Sequence, residues 1–148
     1  MPFSLLKLAE SEGIKVEYWD FAQPLEAVYM SLKGSPPVIG LSRTLFSCPA
    51  YFRCVLAEEL GHHFTSTGNS IPRSYYRYSD RLFISRVEYR ALRWAAIYLI
   101  SLDTLIDANK QGYHRLHELA DYYNVTEDMI KFRFSLPDFC EYKLRYMV

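Results

Sequence analysis

The stretch that most constrains this chain is Val55 to Phe64, Val-Leu-Ala-Glu-Glu-Leu-Gly-His-His-Phe. Good helix formers follow one another from Phe52, and Phe52, Leu56, Leu60 and Phe64 recur every four positions as an apolar seam. With the period of an α-helix, Glu59 and His63 fall on or beside that seam rather than opposite it. An ionised carboxylate facing a core is costly unless a cation, hydrogen-bond donors or a metal compensates it. Any fold built on this helix must therefore bring a partner to Glu59.

Glu58 and His62 are four apart, close enough on one side of the helix to reach a single point, and Glu59 projects beside that point. This is the logic of the His-Glu-x-x-His zinc helix, whose outer positions bind metal and whose second position is the general base, except that the first position here is glutamate. The same residues also suit a helix with two surface glutamates and two terminal histidines favoured by its dipole. A second stretch, Arg86 to Ser101, repeats the peculiarity. Glu88 heads a stripe with Ala91, Leu92, Ala95 and Leu99, while Arg90 and Arg93 lie on the far side. The small Ala91 and Ala95 allow another helix to approach closely, so Glu88 could complete a three-ligand site with Glu58 and His62. Its alternatives are an ion pair with Arg86 or Arg93, or a glutamate exposed in a first helical turn.

With 148 residues, half of them hydrophobic, the chain can bury the core of one domain with a helical appendage. Seventeen basic and seventeen acidic residues cancel, so the charge balance points to neither nucleic acid nor a membrane surface. No charged-then-apolar leader or membrane-length apolar run is present, which gives a cytoplasmic expectation. Cys48, Cys54 and Cys140 match no zinc-finger spacing and are expected to be free thiols, the first two as core residues of one helix.

Periodicity predicts a short helix over Pro2 to Glu12 capped by Gly13, and strands over Ile14 to Trp19, Ala27 to Leu32 and Val38 to Leu41. The strands are expected to form a small antiparallel sheet. Ser47 and Pro49 suggest a cap and first turn for a helix from about Cys48 to Phe64. Residues 65–85 are long and irregular, carry Tyr75, Tyr76 and Tyr78, and suit either a substrate lip or an ordinary surface loop. Beyond Ser101, helices are expected from Leu102 to near Gly112, from Leu116 to Tyr123, and from a Thr126 cap to about Ser135, with Pro137 to Val148 a last helix or ordered tail. The second and third of these have a helix-turn-helix layout. A DNA reader would place basic groups on its second helix, but this one opens with Glu127 and Asp128 and has only Lys131 and Arg133, so no direct nucleic-acid binding is expected. The expected division is a domain over 1–101 and a helical extension over 102–148 packed on it.

Ala57 to His63, Glu88 to Ala95, Leu102-Asp103, Glu118 to Ala120 and Val125-Thr126 together resemble the ImmA/IrrE family of small metallopeptidases, from about the first strand to about Phe134. The resemblance implies an α+β, minimal zincin-like fold with a three-stranded sheet. It also implies a cytoplasmic zinc enzyme, encoded on phages or mobile elements or acting in stress responses, that cleaves or relieves a helix-turn-helix repressor. Carried across by position, His62 matches the second histidine ligand, Glu59 the catalytic glutamate and Glu88 the downstream carboxylate ligand, while Glu58 stands where the family has its first histidine.

Two carboxylates and one imidazole cancel a divalent charge, so a Glu/His/Glu site should depend more on Glu59 as base. Oxygen ligands also widen the choice of ion from Zn2+ toward Mn2+ or Fe2+. His63 could replace a ligand, but a motif ending there puts Leu60 at the base position, so His62 is assigned to the metal and His63 to a supporting or core role. Tyr75, Tyr76 or Tyr78 could donate to an oxyanion. The resulting expectation is a metal-dependent endopeptidase acting on a repressor, with a peptide lying along the sheet edge. Its competitor is a non-catalytic repressor-binding module on a degenerate metallopeptidase fold.

Overall fold

The computed structural model describes residues 3–66 and 86–146. In chain order the elements are α1 (Phe3–Ser11), β1 (Lys15–Trp19), β2 (Ala27–Met30), β3 (Val38–Ser42), a 3-10 turn (Arg43–Ser47), α2 (Pro49–Thr65), α3 (Arg86–Leu99), α4 (Leu102–Lys110), α5 (Leu116–Tyr123), α6 (Glu127–Phe134) and α7 (Pro137–Tyr146). No helix among the described residues is long and apolar enough to cross a membrane.

The sheet order is β1-β3-β2, with β3 parallel to β1 and antiparallel to β2. The sheet is thus mixed, which corrects the antiparallel expectation. β3 is the most buried strand, with Ile39 and Leu41 both at 0% exposure. Placing it centrally gives it a hydrogen-bonded neighbour on each side. Residues 20–26 then carry the chain from β1 across the width of one strand to β2. Gly40 makes the outer face of β3 flat enough for the Trp19 indole to lie across it. A Cβ there would sit 2.4 Å from two ring carbons.

The start of α2 is a second correction. Ser47 belongs to the 3-10 turn, where its hydroxyl donates to the Thr44 carbonyl at 2.9 Å, and Cys48 is the cap, without a side-chain hydrogen bond. Cys48 is accordingly exposed rather than core, whereas Cys54 is fully buried. Burial pushes the Cys54 thiol up, against a smaller opposing pull from Thr126. All three cysteines are free. The seam of α2 also ends one turn early, since Phe64 is half-exposed and stacks on Trp94, with ring centroids 4.8 Å apart.

One cluster of buried side chains runs from Leu5 in α1 through α2 and α3 to Leu136 before α7. Every residue of α2 from Cys54 to Gly61 is buried, so this helix is the central post of the molecule. Its far side is tied to the turn between α5 and α6, where Asn124 takes a left-handed conformation (φ 53°). There the Arg53 Nε donates to the Asn124 carbonyl at 3.1 Å.

Arg133, one of the two basic residues of α6, is 0% exposed. Its Nε donates to the Ile100 carbonyl at 2.6 Å, and its two terminal nitrogens clamp the Asp138 carboxylate, each at 2.7 Å. The ends of α3, α6 and α7 meet on this guanidinium. The Arg133 hydrogen bonds hold the Asp138 carboxyl below its usual range, outweighing the opposing effect of partial burial. A depressed folded-state pKa means stability present above the unfolded value of about 3.9 and lost as pH falls through the folded one. Asp138→Asn is expected to cost about 2 kcal/mol near neutral pH, because it leaves a buried cation under-satisfied. It should also flatten the acid limb of stability against pH. Urea melts of both proteins at several pH values check this, and parallel acid limbs would contradict it.

Candidate metal centre

Consecutive residues of a helix point about 100° apart, so α2 can serve two neighbours with Glu58, Glu59, His62 and His63. Glu58 is 1% and Glu59 8% exposed. The nearest partner helix is α3, and the approach is set by Gly61. A Cβ on Gly61 would lie 2.2 Å from the Ala91 carbonyl oxygen and 2.9 Å from the carbonyl carbon and Cα of the same residue. Ala91, Ala95 and Ala96, all 0% exposed, give α3 a narrow face for the contact. One turn before Ala91, Glu88 is carried over the C-terminal half of α2.

Glu58, His62 and Glu88 meet there, with one ligand atom of each within 4.8 Å of the other two. His62 Nε2 is 3.6 Å from Glu88 Oε2. Glu88 thus faces His62. Burial opposes a charge on His62, but the hydrogen bond to Glu88 and the negative charges of Glu59, Glu88 and Glu58 outweigh it and raise its pKa. Glu59 is therefore near enough for its charge to act on the His62 ring.

The donor set fits a divalent cation. Two carboxylates, one of them buried, share a spot with an imidazole; their summed charge matches a doubly positive ion, and such an ion removes the cost of holding two like charges together. Oxygen and nitrogen donors suit Zn2+, Mn2+ or Fe2+ and give no thiolate preference.

His63 points elsewhere. Its Nδ1 is 2.8 Å from the Tyr29 hydroxyl on β2, and its Nε2 is 3.1 Å from Glu12 Oε2 after α1. With Nε2–H donating to the carboxylate, Nδ1 accepts from the phenol and both ring nitrogens are used. Burial, partly offset by Ser31, raises the Tyr29 pKa, which keeps that phenol a donor. His63 thereby fixes the last turn of α2, and with it His62, to the sheet and to α1. Tyr75, Tyr76 and Tyr78, and the expected substrate lip, lie outside the described residues.

The model of the IrrE N-terminal-like domain, a peptidase family, matches residues 9–135. The chain belongs to this family. The match includes Glu58, Glu59, His62 and Glu88 and continues through α6, and it carries a metallopeptidase-type function with it. No curated protein matches the sequence. For this IrrE-like chain, the helices and three-stranded mixed sheet form the α+β fold of a small zincin-like domain. Sequence reasoning overlooked Gly61, although a glycine between two ligand positions, read beside the Ala91 and Ala95 pair, was a usable signal. The Glu12–His63–Tyr29 link had no local signal, because its members are far apart in the chain.

Proposed function

We propose that this IrrE-like protein is a metal-dependent endopeptidase that acts on a helix-turn-helix repressor. Glu58, His62 and Glu88 hold the ion, and Glu59 is the general base. The observation that carries the proposal is the convergence of three ligand-type side chains from two helices distant in sequence. A divalent ion held there supplies Lewis acidity toward a scissile carbonyl. The Glu59 carboxylate takes the proton of the attacking water on one oxygen and returns it to the leaving amine nitrogen. Glu59 is 8% exposed on α2 and lies next to the ligand position Glu58, which places its carboxylate beside the proposed ion.

The edge of β2 suits the peptide. The Ser42 amide donates to the Glu26 carbonyl at 2.8 Å, so alternation along an antiparallel ladder turns the backbone groups of Ala27 and Tyr29 outward. A peptide added there as a strand runs beside the helix that bears His62, because the Tyr29 side chain bonds its neighbour His63. Burial of Arg133 removes a cation from the α6 surface, which favours a protein target over DNA.

Metal analysis tests the ion site. Purified protein dialysed against Zn2+, Mn2+ or Fe2+ is expected to retain about one equivalent, and His62→Ala and Glu88→Ala to bind at least about 100-fold more weakly. Retention of less than a tenth of an equivalent of every ion would support instead a repressor-binding module in which Glu58 marks a lost site.

A further inference from the structure

The other edge of the sheet has a use that the metal centre does not explain. The Lys15 amide donates to the Pro37 carbonyl at 2.9 Å, and Lys15 pairs with Val38 in the parallel ladder. Alternation then gives the backbone groups of Lys15, Glu17 and Trp19 to β3 and turns those of Val16 and Tyr18 outward, on the side where no strand follows among the described residues. A groove lies beside α1 at the start of β1 and β3, lined by Leu6 and Glu10 of α1, by Ile14, Val16 and Glu17, and by Pro36 and Val38. An edge with outward amides and a half-buried apolar flank is a template for another strand.

We infer that the occupant is β1 of a second copy, paired antiparallel about a two-fold axis at Val16. Two-fold symmetry requires the antiparallel sense, and the outward groups at even-numbered positions allow only pairings whose residue numbers sum to an even value. Charge selects among them. Centred on residue 15, Lys15 would face its own copy, and centred on 17, Glu17 would do so; both place like charges directly opposite. Centred on residue 18, Val16 would face Asp20. Centred on Val16, Lys15 faces the second copy's Glu17 on the outer face, with the reciprocal pair across the axis. Val16 then meets Val16 and Ile14 meets Tyr18 on the inner face, and Trp19 lies opposite Gly13, which has no side chain to obstruct the indole. Within each chain Lys15 and Glu17 already lie 3.5 Å apart, so each side of the axis presents both signs together. The Ile14 amide is held by the Ala9 carbonyl at 2.9 Å, so the ladder ends there and the pairing is short. The result is one continuous sheet across the dimer.

Sedimentation equilibrium of the full chain over a range of concentrations reads the assembly directly. The wild-type protein is expected to dimerise reversibly. Val16→Pro removes an amide that faces outward and leaves the β1–β3 ladder intact, so it should give a monomer with native circular dichroism. Lys15→Glu should weaken the dimer at least about tenfold, and Lys15→Glu combined with Glu17→Lys should restore it. A wild-type chain monomeric at every concentration overturns the proposal and leaves the edge to the strand of another protein. A dimer indifferent to Val16→Pro overturns it too, and failure of the double charge swap to restore association overturns the register. Should Val16→Pro not fold, the charge variants alone decide.

Discussion

Glu59→Gln is expected to retain its ion and its fold while losing roughly 10²- to 10⁴-fold in kcat, the usual weight of a positioned general base. The amide has nearly the volume of the carboxylate, so a side chain only 8% exposed on the central helix is replaced without a cavity. What disappears is an oxygen that can accept a proton. A Glu/His/Glu ligand set makes the loss heavier, since two coordinated carboxylates cancel the charge of a divalent ion and leave more of the deprotonation to Glu59. The same change has a second readout. Glu59 is one of the negative charges that raise the His62 pKa, so the glutamine variant should lower it, and in the metal-free protein the His62 ring should titrate at lower pH. NMR titration of His62, metal content and cleavage of a repressor substrate together separate the two effects. Turnover within tenfold of wild type would remove Glu59 as the base, whereas a lost ion would mean that Glu59 helps hold the site rather than act in it.

What the sequence made legible was whatever it writes with local periodicity. The α5 helix begins and ends where its pattern does, at Leu116 and Tyr123, and Thr126 caps α6, its hydroxyl accepting from the Met129 amide at 3.2 Å. The placement of Glu58, His62 and Glu88 together was legible for a related reason. A polar group at the head of an apolar stripe has to meet something, and two such groups on two helices can meet each other. Strand order was not legible, because alternation tells a strand which face is buried but not which neighbour it takes; the burial of Ile39 and Leu41 gives β3 the central place, and that is a property of the packed sheet. Cys48 and Ser47 misled for another reason. The composition of a helix start does not say whether a 3-10 turn precedes it, and here one uses the serine hydroxyl before α2 begins. The burial of Arg133 was not legible either, because arginine is rarely buried and only the folded chain brings a bidentate carboxylate and a helix-end carbonyl to satisfy it.

Gly61→Ala, which in an exposed helix would stabilise by about 1 kcal/mol through backbone propensity, is expected here to destabilise and to spoil the metal centre. The added Cβ meets the Ala91 carbonyl oxygen at 2.2 Å, and the atoms next in line at 2.9 Å are also backbone. No side chain can rotate away, so α2 and α3 have to separate by about 1 Å to restore ordinary contact. Forcing a packed core apart costs about 1–3 kcal/mol, enough to outweigh the propensity gain. For a chain of this size the Tm should fall by several degrees. The separation acts one turn from Glu88, so it pulls that carboxylate away from His62, now 3.6 Å distant, and from Glu58. Metal affinity should fall by at least about tenfold, comparable to loss of a group that orients a ligand. Ala91→Gly combined with Gly61→Ala should fail to rescue, because the obstruction is the carbonyl of residue 91 rather than its methyl group. Thermal melts and metal titration of the single and double variants decide the matter: unchanged Tm and affinity in Gly61→Ala would mean that the close crossing of the two helices does not set the spacing of the ligands.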